Sequence, residues 1–270
     1  MNKKIVSICI LAAAAVALLF ALAPPGGLLP GAPRAGVHKA ATYGRAENRA
    51  GKTTGRSRAP SDLHPVRVAV FGGSIAAGWV DPRGGGYIRR ALRSLTQATG
   101  VSYDIVRNAV PGMAAGALKG RFLEILRTLR PAVVILSWGG LDNAVKKTPV
   151  SVFAAIVERQ IAESLSVRAA VLLVTPPVTA AAYIDGRHAI PYLYFQAEMQ
   201  VARAFHNPNV QVCDVYDQMW QYMRQHGESY QPFAANGWHP NAAGHKLAGH
   251  FLFRDLLADY GGGPIGYRAP

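Results

Sequence analysis

Cysteine is nearly absent from this sequence of 270 residues, and negatively charged residues are few. Cys9 lies in an apolar N-terminal run, and Cys213 stands alone in the rest of the chain. A disulfide framework and a cysteine-based zinc site are therefore excluded outside the N-terminal run. Charged residues make up 16% of the sequence, against about a quarter in typical domains. Lys and Arg number 29 against 15 Asp and Glu, which gives a formal net charge of +14.

The sequence also lacks the patterns of nucleic-acid, metal and cofactor binding. The excess of positive charge is spread along the chain and is not interleaved with aromatic residues, so we predict no nucleic-acid partner. The histidines are scattered, and His245 and His250 on the last predicted helix are not at a ligand-pair spacing, so we predict no metal site. No Gly-x-Gly-x-x-Gly or Walker sequence follows the first predicted strand, which argues against a nucleotide or flavin. We therefore predict no cofactor.

The first 23 residues have the pattern of an export signal. Two lysines precede an uncharged stretch, residues 5–23, as in the n-region and h-region of a signal peptide. An Ala-Leu-Ala cleavage site ends this stretch, but Pro24 is poorly suited to be the first mature residue. The stretch is also long enough to cross a hydrocarbon core of about 30 Å. Residues 1–23 are predicted to be a signal peptide or an uncut signal anchor, and both alternatives place the domain outside the cytoplasm, secreted or anchored to the cell membrane.

The segment that follows, residues 24–64, is rich in proline, glycine, alanine and arginine and has no apolar periodicity. This composition predicts a flexible basic linker. Its charge fits attraction to anionic lipid or to a cell-wall polymer, and it fits a soluble linker equally well. Residues 65–270 remain as one predicted domain, and the 50% hydrophobic content of the chain is ample for a buried core.

Within this domain, short apolar runs alternate with segments of helical periodicity. The runs predicted to be strands are 66–71, 103–106, 132–137, 169–175 and 209–213. The segments predicted to be helices are 86–98, 114–129, 150–165, 191–205, 215–225 and 241–258. Strands that alternate with helices predict an α/β fold with a five-stranded parallel sheet covered by helices on both faces. Ligands of such sheets bind beyond the carboxyl ends of the strands.

Residues with suitable chemistry follow several of these strand ends. Ser74 comes after Gly72-Gly73, where a strand-to-helix turn can expose its hydroxyl and use its backbone N–H to hold an oxyanion. Gly112 follows the second strand and can bring a bare N–H close to a ligand. Asp142 and Asn143 follow the third strand. Each of these features alone is also compatible with an ordinary turn.

A fourth group of such residues precedes the last predicted helix. His239 lies three residues after Asn236, and Asn241 is a suitable N-cap for the helix. The order of serine, glycine, an Asp-Asn pair and Asn-x-x-His, each near a strand end or helix start, is more informative than any one of these features. It predicts that these side chains meet at one edge of the sheet.

At this point residues 66–258 resemble the SGNH/GDSL hydrolase family. Four short blocks carry the resemblance: residues 71–74, 108–112, 139–143 and 236–240. The resemblance implies a flavodoxin-like three-layer α/β/α sandwich. It also implies a serine hydrolase in which Ser74 is the nucleophile, His239 its base and Asn236 the residue that orients the histidine. The implied oxyanion hole consists of Ser74 and Gly112 with either Asn143 or Asp142.

Three positions depart from the usual pattern of the family. Gly73 replaces an aspartate that is not catalytic, and Asn236 replaces the aspartate that orients the histidine. Asp142-Asn143 inverts the usual order, in which an asparagine donates an N–H to the oxyanion. Three alternatives follow: Asn143 takes over through a shifted loop, Asp142 donates in its protonated form, or this donor is missing.

The function expected from the resemblance is hydrolysis of carboxylic esters through an acyl-enzyme. An extracytoplasmic location favours O-acetyl groups on cell-wall or exopolysaccharide sugars, or lipid esters, as substrates. Because of the departures, the alternative is a weakened or inactive protein that keeps the fold and binds a cell-surface polysaccharide. The expected partner is a small-molecule or polysaccharide ester, together with the membrane if the N-terminal segment is uncut. The sequence carries no signal for the oligomeric state.

Overall fold

The computed structural model describes residues 64–184 and 189–269. Its five strands are β1 (Val66–Gly72), β2 (Tyr103–Ala109), β3 (Val133–Ser137), β4 (Ala170–Val174) and β5 (Val210–Cys213). Its α-helices over these residues are α1 (Gly86–Thr99), α2 (Phe122–Leu129), α3 (Leu141–Val145), α4 (Val150–Ser166), α5 (Ala180–Tyr183), α6 (Ile190–Ala204), α7 (Val215–Gln225) and α8 (Ala242–Tyr260). The predicted signal segment and all but the last residue of the predicted linker lie outside the described residues.

All five strands run parallel in one sheet of order β2-β1-β3-β4-β5. The chain moves outward from β1 to β2, returns across β1 to β3, and then continues to β5. The connections therefore diverge between β1 and β3, and their divergence opens a crevice at the carboxyl ends of these two strands. This topology confirms the predicted α/β fold with a five-stranded parallel sheet.

The core lies on both faces of the sheet. Every residue of β3 and of β4 is buried, as expected for central parallel strands that have no solvent-facing side. Helix α1 packs against α8 on one face, and α4 packs against α6 on the other. The buried side chains of these layers form one continuous cluster that includes Phe71, Leu136 and Phe153.

One predicted helix is divided in the structure. The sequence pattern predicts a continuous helix over 114–129, whereas the chain forms a 3-10 helix at Ala115–Leu118 and then α2. Gly120 lies between them with φ of 79°, a left-handed conformation that interrupts a helix and that glycine adopts at little cost. The short helices α3 and α5 were not predicted, because four or five residues are too few to establish a periodicity.

Within residues 64–184 and 189–269, no helix combines the length and the apolar character needed to cross a membrane. The N-terminal stretch predicted to be a signal peptide or anchor falls outside these residues.

Candidate active site

Ser74 lies on a tight turn just beyond the carboxyl end of β1. The Trp79 N–H donates to the Ser74 carbonyl at 3.0 Å, and the Ala77 N–H donates to the Gly73 carbonyl at 3.0 Å. These bonds wind the chain sharply after the strand, and the part-buried Ser74 lines a depression beyond the end of β1. The turn thus presents the hydroxyl in the crevice between β1 and β3.

His239 reaches the same place from a stiff loop ahead of α8. An isolated antiparallel bridge joins Ala234 to Pro240 across this loop, and the Ala235 N–H donates to the His239 carbonyl at 2.9 Å. Asn241 caps α8 by accepting from the Gly244 N–H, as the sequence predicts. His239 Nε2 lies 3.0 Å from Ser74 Oγ, although the two residues are 165 positions apart in the chain.

The Asn236 side chain holds the histidine from behind. Asn236 Oδ1 lies 3.1 Å from His239 Nδ1, and it also accepts from the backbone N–H groups of Trp238 and His239 at 2.9 Å each. An oxygen at this position requires the proton of the neutral imidazole to be on Nδ1. Nε2 is then free to accept from the Ser74 hydroxyl, so the three side chains form a chain of hydrogen bonds with the polarity that a serine nucleophile needs.

Burial lowers the pKa of His239 below its ordinary value, because a partly desolvated imidazole disfavours its charged form. The neutral, proton-accepting form of the ring therefore dominates at neutral pH. This is the form that a general base requires before the reaction starts.

Asp142 occupies the place beside the nucleophile that the family pattern gives to an asparagine. Left-handed glycines at 139 and 140, each with φ of 66°, turn the chain from β3 into α3 and bring Asp142 to the crevice. A Cβ built at Gly73 would overlap Asp142 Oδ2. Gly73 and Asp142, two of the departures from the family pattern, are therefore in contact. The carboxyl group of Asp142 fills the volume that a side chain at position 73 would need.

The environment of Asp142 favours its neutral form. Burial raises the pKa of its carboxyl group, and the nearby Lys146 ammonium opposes this effect. Lys146 also donates from Nζ to the Gly112 carbonyl at 2.9 Å, and so it ties α3 to the loop after β2. A protonated Asp142 would present an O–H donor to the site, whereas an ionised one would repel a developing oxyanion.

The structure does not bring the Asn143 side chain to the site, where one of the three alternatives has it donate to the oxyanion. Its side chain is buried, and neither its Oδ1 nor its Nδ2 has a hydrogen-bond partner within the described residues. It is also not among the residues that line the depression beside Ser74. Successive residues of a helix point about 100° apart, so Asn143 faces the interior of the domain when Asp142 faces the crevice.

The crevice forms an open depression of about 340 Å³. It is lined by Ser74, Trp79, Pro111, Gly112, Leu141, Asp142, Val145, Trp238 and His239. Sequence reasoning missed Trp79, Val145 and Trp238, although Trp238 directly precedes the predicted base. Over the part of the chain that the structure describes, no group of three or more His, Cys, Asp or Glu side chains could hold a metal ion.

The profile of the GDSL-like Lipase/Acylhydrolase family matches residues 70–247. The chain belongs to this family. The matched span contains all six of the predicted site residues, the end of β1 and the whole of the other four strands, so the resemblance inferred from the four short blocks is confirmed. Carboxylic ester hydrolysis is the activity of the family, and the chain is an enzyme of this class.

Several solved structures share the fold. A catalytic mutant of the acetylxylan esterase Axe2 from Geobacillus stearothermophilus is 20% identical, with a TM-score of 0.56 over 76% of this chain and 97% of that chain. The lipase/acylhydrolase from Enterococcus faecalis is 21% identical, with a TM-score of 0.56 over 71% of this chain and 95% of that one. The acetyl xylan esterase AlAXEase is 19% identical, with a TM-score of 0.58 over 71% of this chain and 100% of that one.

Two curated proteins match a shorter stretch. The Regulatory protein RecX of Mycobacterium ulcerans (strain Agy99) and that of Mycobacterium marinum (strain ATCC BAA-535 / M) are each 44% identical over 56 residues. This stretch is 20% of the present chain and spans 32% of each relative, so the chain covers about a third of the curated proteins it matches. A match of this extent carries no functional argument for the hydrolase domain.

Replacing Asn236 by aspartate is expected to raise kcat/KM for p-nitrophenyl acetate about tenfold, equivalent to about 1.4 kcal/mol of transition-state stabilisation. A carboxylate can keep all three contacts of Asn236 Oδ1 and adds a full charge beside the imidazolium. The same charge raises the pKa of His239, so the acid limb of the pH profile should move to higher pH. Steady-state kinetics across pH measure both effects.

The matched control for this change is Asn207→Asp, because Asn207 Oδ1 also accepts a backbone N–H, that of Asn209, in a distant loop. This control should leave the kinetics unchanged. A folded Asn236→Asp variant with flat or reduced activity would show that Asn236 does not orient His239.

Replacing Asp142 by asparagine is expected to raise kcat about tenfold at pH values above the pKa of the Asp142 carboxyl group, because an amide N–H replaces an ionised carboxylate beside the oxyanion. The raised pKa of Asp142 gives the sign of the pH effect. Wild-type activity should decline as the pH rises through the pKa of Asp142, and the variant should lose this decline. The exposed Asp104→Asn is the control, and an unchanged alkaline limb in Asp142→Asn would remove Asp142 from the oxyanion site.

Proposed function

We propose that this protein is an extracytoplasmic serine esterase that hydrolyses carboxylic esters through an acyl-enzyme on Ser74. The observation that carries the proposal is the 3.0 Å contact between Ser74 Oγ and His239 Nε2, with Asn236 Oδ1 behind His239 Nδ1. This arrangement is the hydrogen-bonded relay that activates a hydroxyl for attack.

In the first half of the reaction, His239 Nε2 takes the hydroxyl proton while Ser74 Oγ bonds to the carbonyl carbon of the ester. The carbonyl oxygen becomes an oxyanion. The imidazolium then gives its proton to the departing alcohol as the ester C–O bond breaks, which leaves the acyl group on Ser74. In the second half, His239 takes a proton from water, the hydroxide attacks the acyl-enzyme, and the acid is released as Ser74 recovers its proton.

The oxyanion is assigned to the backbone N–H groups of Ser74 and Gly112. The carboxyl group of Asp142 lines the same depression and adds a third donor only in its protonated form. Gly112 supports this assignment through its left-handed φ of 77° and the open space at its Cβ position, which leave its peptide accessible to a substrate. Removal of one oxyanion donor typically costs about 10²–10³-fold in kcat. The protonation of Asp142 is therefore expected to control a large part of the rate.

The proposed substrates are O-acetyl esters of cell-wall or exopolysaccharide sugars, or lipid esters. The shallow and open depression supports an ester of small acyl group or an ester presented at a surface. Two solved proteins of similar fold are named as acetylxylan esterases, which is consistent with an acetyl group. The extracytoplasmic location is inferred from the predicted signal segment, residues 1–23.

A fluorophosphonate probe tests the proposed function directly. The probe should label the folded protein, and peptide mapping should find the label on Ser74. Labelled Ser74 together with hydrolysis of p-nitrophenyl acetate above the buffer rate supports the esterase. The second candidate, a polysaccharide-binding protein with little turnover, is favoured by the carboxylate at Asp142 and the neutral Asn236. It predicts an unlabelled Ser74 and binding of acetylated oligosaccharides without their hydrolysis.

A further inference from the structure

Four large apolar side chains project into solvent around the depression. Trp79 is 54% exposed, Val110 51%, Val145 68% and Trp238 38%. Trp79, Val145 and Trp238 line the depression itself, and Val110 precedes Pro111, which also lines it. We call these four residues the apolar rim. They come from four separate segments, following β1, following β2, ending α3 and preceding α8, and three of them line the same depression as Ser74 and His239.

Four of the nine exposed large apolar residues of the described part of the chain lie around this one site. A contiguous exposed apolar patch of this kind commonly marks a binding surface for a ligand or partner. The polar side chains in the depression are those of Ser74, Asp142 and His239, and all three are already assigned to the reaction. The tryptophans of the rim could stack on a sugar ring, but Val110 and Val145 offer no flat face, and a sugar site needs further polar groups to bind hydroxyls. The composition of the rim therefore favours an aliphatic partner.

Positive charge adjoins the rim. Lys146 and Lys147 directly follow Val145, and both are exposed. The Lys146 ammonium also offsets the one carboxyl group of the depression, that of Asp142. Residues 65–270 contain 20 Lys and Arg against 13 Asp and Glu, a formal net charge of +7, so electrostatic attraction brings the domain toward anionic surfaces. Lysines beside exposed tryptophans are the combination that binds the headgroup region of an anionic bilayer.

We propose that the apolar rim docks onto an anionic lipid surface, with Trp79 and Trp238 at the headgroup level and Lys146 and Lys147 against the lipid phosphates. Docking would hold the depression against the membrane. If Ser74 is the nucleophile of the proposed function, docking makes an ester embedded in the membrane surface its substrate. This step rests on the proposed function. The docking itself requires no turnover.

Quenching of tryptophan fluorescence by brominated lipids tests the docking in the full chain. The four tryptophans of the sequence are Trp79, Trp138, Trp220 and Trp238, and the N-terminal apolar run contains none. Quenching therefore reports only on the domain, even where the N-terminal run also binds the vesicles. Trp138 is buried and hydrogen-bonded to Gln160, so quenching is expected at the rim.

The vesicles contain brominated phosphatidylcholine and phosphatidylglycerol in a ratio of about 7:3. The wild type should be quenched, and quenching should fall on pure phosphatidylcholine vesicles or in high salt. The double variant Val110→Ser/Val145→Ser keeps both rim tryptophans and should lose roughly half or more of the quenching, since insertion scales with apolar area. The control Val152→Ser/Leu193→Ser alters two exposed apolar residues outside the rim, 48% and 49% exposed, and should behave as the wild type.

Each outcome decides the proposal. Equal quenching of the rim and control variants, or no quenching of the wild type, overturns it. Binding of acetylated oligosaccharides at the rim without quenching by lipid assigns the surface to a polysaccharide instead. Burial of the rim in a dimer, seen by sedimentation and by protection of Trp79 and Trp238 from acrylamide, assigns it to a second copy of the chain. Failure of the probe to label Ser74 would overturn the proposed function and leave the quenching result intact.

Discussion

Replacing Ser74 by alanine is expected to lower kcat/KM for p-nitrophenyl acetate by at least about 10³-fold, because removal of the nucleophile of a serine protease costs up to about 10⁶-fold in kcat. The hydroxyl lies 3.0 Å from its base, so its loss removes the bond-forming atom and the relay together. Because Ser74 is part-buried on a turn, its replacement by alanine removes one hydroxyl and leaves the packing in place. The fold should therefore be retained.

The comparison variant is Ser151→Ala, which removes an exposed hydroxyl from the first turn of α4. It should retain both hydrolysis and labelling by the fluorophosphonate probe, whereas Ser74→Ala should lose both. Residual turnover of Ser74→Ala equal to that of the wild type, with a circular dichroism spectrum that matches, would falsify the assignment of the nucleophile.

The second large expected effect is a loss of folding stability when Asp81 is replaced. Asp81 lies in the loop between Ser74 and α1. Its buried carboxylate accepts from Arg90 Nε at 2.8 Å, from Arg90 Nη2 at 2.9 Å, and from the backbone N–H groups of Gly84 and Gly86 at 3.2 Å each. Replacing Asp81 by alanine leaves these donors unsatisfied at once. Removal of one partner of a buried ion pair costs about 3–5 kcal/mol.

We expect Asp81→Ala to lower the free energy of unfolding by about 3 kcal/mol, the lower end of that range, because the Arg90 side chain is 27% exposed and can be partly rehydrated. The control is Asp104→Ala, which breaks the exposed pair with Arg67 and should cost at most about 1 kcal/mol. Urea denaturation of both variants measures the difference. Equal losses in the two variants would contradict the special role of Asp81.

The contribution of the Asp81 carboxylate to the free energy of unfolding depends on pH. Burial alone would raise the pKa of Asp81, but the hydrogen bonds and charge of Arg90 and the Gly86 N–H outweigh it and hold the pKa below its ordinary 3.8. A carboxyl group with a lowered pKa stabilises the folded state above the unfolded-state value, and this stabilisation is lost as the pH falls through the folded value. The gap between wild type and Asp81→Ala should therefore be full above about pH 5 and narrow in stronger acid.

Much of the fold could be predicted because burial imposes a clear pattern on the sequence. The runs at β3 and β4 are continuously apolar because helices cover both faces of the sheet, and their positions were predicted to within a residue. The break at Gly120 could not be predicted, because a glycine inside a periodic segment is compatible both with a helix interior and with a left-handed turn.

The sequence predicted the site residues that lie near strand ends and helix starts. It did not predict the contacts that depend on how the elements pack. Ser74, Gly112, Asn236 and His239 were expected to meet because each lies near a strand end or a helix start. The choice between Asp142 and Asn143 depends on the rotation of one turn of α3, and a short segment does not fix that rotation. The overlap between a side chain at position 73 and Asp142 is a contact through space, so it became visible only in three dimensions.

The distance along the chain between nucleophile and base also controls when the enzyme can become active. Synthesis proceeds from the N-terminus, so Ser74 emerges from the ribosome 165 residues before His239. The four strands β2 to β5 and the Asn236 loop are translated in that interval. A nascent or truncated chain therefore carries an unactivated hydroxyl, and hydrolysis begins only when the loop ahead of α8 has docked. For the proposed Ser74–His239 pair, ester turnover is therefore a reporter of completed folding of the C-terminal part of the domain.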